Sequence, residues 1–149
     1  MKSTYLNEFK KHSEKGIAFL PIGTIEWHGC HLPVEADFMV AQRICELLSR
    51  KTGGYLLPPI YLGTDQAKKI KGEDLKGMDR RLGKRLQGSV YYLKPKLFYD
   101  LVSSLVKNLN DQGYDKIMIV TGHGGSRQME VLEKVERDHK SVILINPYI

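Results

Sequence analysis

The sequence predicts an α/β fold in which a mostly parallel sheet is flanked by helices. Short apolar runs rich in β-branched residues, at 17–22, 55–57, 116–120 and 141–145, alternate with helical patterns. That order calls for parallel strands joined by helical crossovers. Two of the runs empty into loops crowded with histidine, glycine and carboxylates, and in open α/β sheets ligands collect at the carboxyl ends of the strands. At 149 residues, 42% hydrophobic and 27% charged, the chain has the size and composition of one ordinary domain, expected to span residues 1–149.

A helix is expected over 5–13, then the first strand over 17–22. Asp37 opens a helical pattern whose apolar face is read as Met39, Val40, Ile44, Leu47 and Leu48, stopped by Gly53-Gly54. The strand at 55–57 ends at Pro58-Pro59. From 61 to 89 glycines and charges imply a long excursion with at most short helices, a length that in compact domains goes with active-site covers or oligomer contacts. Pro95 suits the first position of a helix carrying Leu97, Phe98, Leu101, Leu105 and Leu109 and finishing near Gly113. The strand at 116–120 leads into a helix from Arg127 through Met129, Leu132, Val135 and Glu136, and 141–145 is the last strand. No internal repeat or low-complexity segment interrupts this order.

The net charge is +6, and most of it is local: between Lys68 and Arg85 eight basic residues stand against three acidic ones. Clustered Lys and Arg can contact a nucleic acid or an anionic substrate, since they attract phosphates, but the segment lacks aromatic stacking groups and reads better as a solvated, partly mobile surface loop, so a nucleic-acid partner is not expected. Two cysteines, Cys30 and Cys45, make no disulfide framework, and nothing resembles a cleavable leader or a bilayer-spanning run. The expected setting is a reducing cytoplasm, with no membrane partner.

The chemistry concentrates at two places. Residues 26–38 hold two imidazoles and three carboxylates in a stretch interrupted by Gly29 and Pro33, which reads as a loop between strand and helix. On extended backbone Glu26 and His28 leave on one face and Trp27 on the other. Carboxylate oxygen with imidazole nitrogen, and no thiolate, suits zinc, manganese or iron better than calcium. The second place is Thr121-Gly122-His123-Gly124-Gly125-Ser126, just past a probable strand end, where glycines let backbone approach a ligand closely. Plainer readings stand beside these. Asp37 can cap its helix; Gly124-Gly125-Ser126 can cradle a phosphate at a helix start; His31 reads as a buried, backbone-bonded histidine or a partner of the ligands. His12 and His139 read as exposed, Cys30 as a small apolar residue rather than a nucleophile, and Trp27 and Tyr61 as pocket walls or core.

Pro21-Ile22-Gly23-Thr24-Ile25-Glu26-Trp27-His28-Gly29-Cys30-His31-Leu32-Pro33, then Asp37, then Thr121-Gly122-His123-Gly124-Gly125, resemble the creatininase (creatinine amidohydrolase) family, with its P-x-G-S-x-E-x-H-G-P-H-L-P stretch, following aspartate and N-G-H-G-G-N turn. The resemblance implies a three-layer α/β/α domain with a binuclear metal site, often in a ring-shaped or hexameric assembly. It also implies hydrolysis of cyclic amides or related C–N or C–C bonds in small polar substrates. Carried over by position, Glu26, His28, Asp37 and His123 are the metal ligands for one or two Zn, Mn or Fe ions per chain, with Asp37 in the place of the carboxylate that bridges two ions; no catalytic side chain is assigned. Bridged cations lower the pKa of a shared water and polarise a carbonyl.

This sequence departs from the pattern at Cys30, Ala36 and Ser126, and lacks a match for the later H-A-G-E-x-E-T-S segment that brings a further carboxylate. Some relatives place a glutamate two residues after the second-motif histidine; here that residue is Gly125. The resemblance therefore leaves the fifth ligand without a counterpart. It admits a domain truncated at the carboxyl end, or a shortened non-catalytic or split subunit completed by a homo-oligomer or a complementing chain.

Overall fold

The computed structural model describes residues 16–148, so the helix expected over 5–13, and His12 with it, lie outside the described residues. In chain order the elements are β1 (Ile17–Ile22), α1 (Ala36–Thr52), β2 (Tyr55–Leu56), β3 (Lys68–Ile70), β4 (Glu73–Leu75), α2 (Gly77–Leu82), α3 (Pro95–Asp111), β5 (Lys116–Thr121), α4 (Ser126–Asp138) and β6 (Val142–Ile145). The main sheet runs β2-β1-β5-β6 with every pair parallel. Chain order departs from β1 in both directions, to β2 on one side and to β5 on the other, so the crevice between the ends of β1 and β5 is the switch point at which such sheets bind ligands.

Alternation along the strands sorts the side chains into two cores. Ala18, Leu20, Ile22, Ile117 and Ile119 pack with Phe98, Val102 and Val106 of α3 and Val131, Leu132 and Val135 of α4. On the other face Phe19 and Val120, with Ile17 and Met118 beside them, meet Ala41, Cys45, Ile44 and Leu48 of α1. The result is the expected three-layer α/β/α order. Among the described residues no helix is long and apolar enough to cross a membrane.

Two helix faces differ from the sequence reading. On α1, Met39, Val40 and Leu47 are exposed, and the stripe against the sheet is Asp37, Ala41 and Cys45 with Ile44 and Leu48 alongside. Small side chains at 41 and 45 let the helix lie close to β1 and β5, and the bulkier residues are turned outward. On α3, Leu97 and Leu105 are exposed, while Phe98, Val102, Val106 and Leu109 form the buried line at i, i+4, i+8 and i+11.

The excursion after Pro59 is more ordered than expected. Its basic part folds into the β3–β4 hairpin, turned by Lys71 and Gly72, both at positive φ, and then into α2. Such a pair of left-handed residues is what a two-residue hairpin turn requires, and Lys69 opposite Asp74 adds a cross-strand pair of opposite charge.

The feature that places the site is the contact between α1 and the strand ends. β1 and β5 run in register from Ile17 opposite Lys116 to Ile22 opposite Thr121, so both strands end at one level. The next residues are Gly23 and Gly122. A Cβ on Gly122 would collide with the Asp37 carbonyl, and one on Gly23 with the Phe38 backbone nitrogen. Only glycine lets the first turn of α1 sit directly on the strand ends.

Candidate metal centre

The side chains of the centre come from the loop after β1, the first turn of α1 and the end of β5. After β1 the chain makes a tight loop: the Glu26 N–H donates to the Val34 carbonyl at 3.1 Å, the Trp27 N–H to Ser89 Oγ at 3.2 Å and the Val90 N–H to the Ile25 carbonyl at 3.4 Å. Glu26 is thereby pinned between its own return limb and the segment around residue 90. Asp37 lies in the first turn of α1, where the amino-terminal dipole favours a carboxylate, and its side chain is turned into the site rather than used as a cap. His123 leaves the end of β5, its turn held by Thr121, whose hydroxyl donates to the His123 carbonyl at 2.9 Å.

Glu26, Asp37 and His123 are 6%, 5% and 4% exposed, and one ligand atom from each falls within 4.8 Å of the others. His123 Nδ1 lies 2.9 Å from Asp37 Oδ2 and 3.2 Å from Glu26 Oε1. The other Asp37 oxygen, Oδ1, lies 3.0 Å from His28 Nε2, which is 3.9 Å from Glu26 Oε1. His28 Nδ1 faces the Glu26 carbonyl at 3.1 Å. If Nδ1 carries the proton and donates there, the Nε2 lone pair points at a carboxylate. Such an arrangement needs a proton or a cation between the two.

In the metal-free protein a proton on His123 serves. Burial opposes charge on His123, but hydrogen bonds to Asp37 and Glu26, and their negative charges, outweigh it and push the pKa up to about 9. Burial likewise opposes the Glu26 carboxylate, yet the His123 hydrogen bond and charge, with help from Tyr92 and His28, leave its pKa lowered. Tyr92 donates its hydroxyl to Glu26 Oε2, and burial together with the charges of Glu26, Asp65 and Asp37 drives its pKa far up, so it stays a phenol. The separations are those of donor atoms that share cations with bonds of about 2.0–2.2 Å. A carboxylate whose two oxygens face two different imidazoles has the geometry that could bridge two cations.

Sequence reasoning missed Asp65 and Tyr92, and it set Arg80 and Arg81 aside as part of a solvated basic loop. Asp65 is 5% exposed and faces the same cavity. It is delivered by a strap buried through Thr64, whose N–H donates to Gln128 Oε1 at 3.0 Å and whose hydroxyl donates to the Leu93 carbonyl at 2.9 Å. Gln128 in turn donates to Thr121 Oγ1 at 3.0 Å, so one buried amide joins this strap to the His123 turn. Asp65 Oδ1 accepts the Gln66 N–H at 2.7 Å. The place a Cβ on Gly125 would take lies 3.1 Å from Asp65 Cγ and against His123 Nε2, a buried nitrogen with no partner among the described residues. One signal was available in the sequence: Asp65 is the sole carboxylate between Glu46 and Glu73.

The plainer candidates fall away from the centre. His31 is exposed, contrary to the expected burial, because Gly29, at a φ of 85°, turns residues 30–33 outward. Cys30 is exposed, and burial raises the Cys45 thiol to about 12, too high for a nucleophile. His139 is half-buried rather than exposed, because it caps the far end of α4. Trp27 is half-buried, and Tyr61 stands edge-on to Phe38 at 4.5 Å. The cavity above the centre measures about 630 Å³ and is closed on one side by α2, so the basic segment is not merely a solvated loop.

The model of the creatininase (creatinine amidohydrolase) family matches residues 2–144. The chain belongs to the creatininase family. A creatinine amidohydrolase of Pseudomonas putida is 22% identical over 108 residues, which are 72% of this chain and 37% of that protein. A crystal structure of creatinine amidohydrolase (creatininase) superposes with a TM-score of 0.74 at 18% identity, covering 97% of this chain and 56% of that one. A creatininase in its Mn form gives a TM-score of 0.73 at 18% identity over the same shares. A glutamine-for-glutamate variant of Zn-Zn type gives 0.73 at 18%, covering 98% and 57%. This family member thus spans a little over half the length of the solved structures it matches and about a third of the curated relative.

Proposed function

We propose that this chain holds two divalent cations and is a metal-dependent amidohydrolase of the creatininase type, cleaving an amide-like C–N bond in a small polar substrate. The observation that carries this reading is Asp37, with Oδ1 3.0 Å from His28 Nε2 and Oδ2 2.9 Å from His123 Nδ1. Glu26, His123 and Asp37 Oδ2 would hold one ion; His28 and Asp37 Oδ1 would begin the shell of the second. Asp65 stands where Gly125 leaves room, and we assign it the carboxylate that some relatives carry two residues after the histidine. Three buried carboxylates, Glu26, Asp37 and Asp65, face one cavity, an excess of negative charge that divalent cations would offset.

Bound there, zinc or manganese polarises a substrate carbonyl and lowers the pKa of a coordinated water. The protein's own part is positional. Asp37 would set the spacing of the two ions, Tyr92 orients Glu26, and Gly124 and Gly125 line the cavity where an oxyanion would develop. Elemental analysis of the purified chain should find about two equivalents of Zn or Mn, consistent with the N/O donor set. Asp37→Ala should remove both ions, and hydrolysis of a panel of cyclic and linear amides, creatinine included, should disappear with them. Full metal retention in Asp37→Ala, or turnover by metal-stripped protein, refutes the proposal.

A further inference from the structure

We propose that Arg80 and Arg81 form an anion-binding rim above the metal centre, so that the substrate is a small amide that itself carries a carboxylate or phosphate group. This rests on the amidohydrolase reading above and narrows its substrate class.

Both arginines line the cavity that also contains Glu26, His28 and Asp37. They reach it because α2 is packed down on the centre: its first residue, Gly77, at a φ of 51°, lies so close that a Cβ would strike the Tyr92 hydroxyl and sit 2.6 Å from Glu26 Oε2. The charge on this rim is not used within the described residues. Arg80 donates to Gln66 Oε1 at 3.2 Å, a neutral amide, and Arg81 has no ion pair or hydrogen bond among the described residues. The one acid of α2, Asp79, is buried and turned away, accepting the Leu86 N–H at 3.2 Å. Arg85, later in the same segment, does pair with Glu73. Neither Arg80 nor Arg81 forms an ion pair with Glu26, Asp37 or Asp65.

Two adjacent arginines therefore line a cavity with an acidic floor without forming an ion pair with that floor. Guanidinium forks match carboxylate and phosphate oxygens bidentately, whereas a neutral or cationic substrate would gain nothing from them. A cavity of about 630 Å³ has room for a reacting amide on the floor and an anionic substituent at the rim.

The test uses the metal-loaded chain and two lactams that differ by one ring carboxylate, 5-oxoproline and 2-pyrrolidinone, with binding measured by calorimetry. 5-Oxoproline should bind at least tenfold more tightly. In Arg80→Gln/Arg81→Gln its affinity should fall by about tenfold or more, as expected for loss of charge-assisted hydrogen bonds, while 2-pyrrolidinone binding and metal content stay unchanged. Arg81 is exposed, so Arg81→Gln alone keeps the fold and should give a smaller loss of the same sign. Inorganic phosphate and acetate, as competitors against 5-oxoproline, rank the two anionic groups. Equal affinity for the two lactams overturns the proposal, as does a charge preference that survives in the double variant, or no binding of either lactam or phosphate. Loss of metal with the arginine-dependent preference intact would count against the metal reading alone.

Discussion

Metal binding at this centre should release a proton and strengthen steeply with pH. His123 has its pKa pushed up to about 9 because Asp37 and Glu26 both face its Nδ1, so at neutral pH the metal-free side chain carries a proton where a cation would sit. Metal must displace it. With an ordinary value of 6.5 for free histidine, apparent affinity should rise on the order of 100-fold between pH 6.5 and 9 from this group alone. Calorimetry in buffers of different ionisation enthalpy would count about one proton released per centre at pH 7.

The same linkage sets the stability of the metal-free protein. A folded-state pKa above the unfolded one stabilises fully below about 6.5, and that contribution, about 3 kcal/mol, is lost as pH climbs through 9. The Tm of chelator-treated protein should therefore fall over this range, and that of metal-loaded protein should not. A flat affinity profile with no proton release would refute the placement of His123 Nδ1 against the two carboxylates.

Gly122→Ala should destabilise the fold by about 1–3 kcal/mol in urea unfolding, the usual cost of forcing extra volume into a packed site, because its methyl meets the Asp37 carbonyl. It should also weaken metal retention, since relief of that clash moves Asp37. Asp65→Asn keeps the shape and removes one buried charge; elemental analysis should find metal content falling from about two equivalents towards one, with the Glu26, Asp37 and His123 ion retained. Unchanged stoichiometry would exclude Asp65 from the second shell of ligands.

The strands and the three layers were legible because they follow local rules. Alternation in 17–22 and 116–120, the glycines at 53 and 54 and the proline at 95 each act within a few residues. The pairing of Glu26 and His28 with Asp37 and His123 was legible for another reason: two unusual motifs each follow a strand, and parallel strands in register bring their carboxyl ends to one edge. The face of α1 was not legible, because Met39, Val40 and Leu47 are more apolar than Ala41 and Cys45, and closeness of packing, not apolarity, decides which side meets the sheet. Arg80 and Arg81 were visible as part of a basic cluster but read as solvated surface; Asp65 and Tyr92 were invisible for a third reason. They belong to an excursion without periodicity, positioned by contacts 29 to 67 residues away in sequence: Thr24 to Tyr91, Thr64 to Leu93 and Gln128, Tyr92 to Glu26.

Those distant contacts explain how a loop can hold reactive groups firmly. Gln128 is fully buried in the first turn of α4 and spends its carbonyl on the Thr64 N–H and its amino group on Thr121 Oγ1. An amide so placed can satisfy both limbs at once only if the strap bearing Asp65 and the turn bearing His123 keep one separation. A break in either bond would leave a buried polar group unpaired, at a cost of about 1–3 kcal/mol. The excursion is thus tied to the sheet edge at the point where the carboxylate on one side and the imidazole on the other face the gap beside Gly125. Glycine at 125 and aspartate at 65 are two halves of one solution: removing a side chain from the histidine turn leaves the volume into which the strap projects its own.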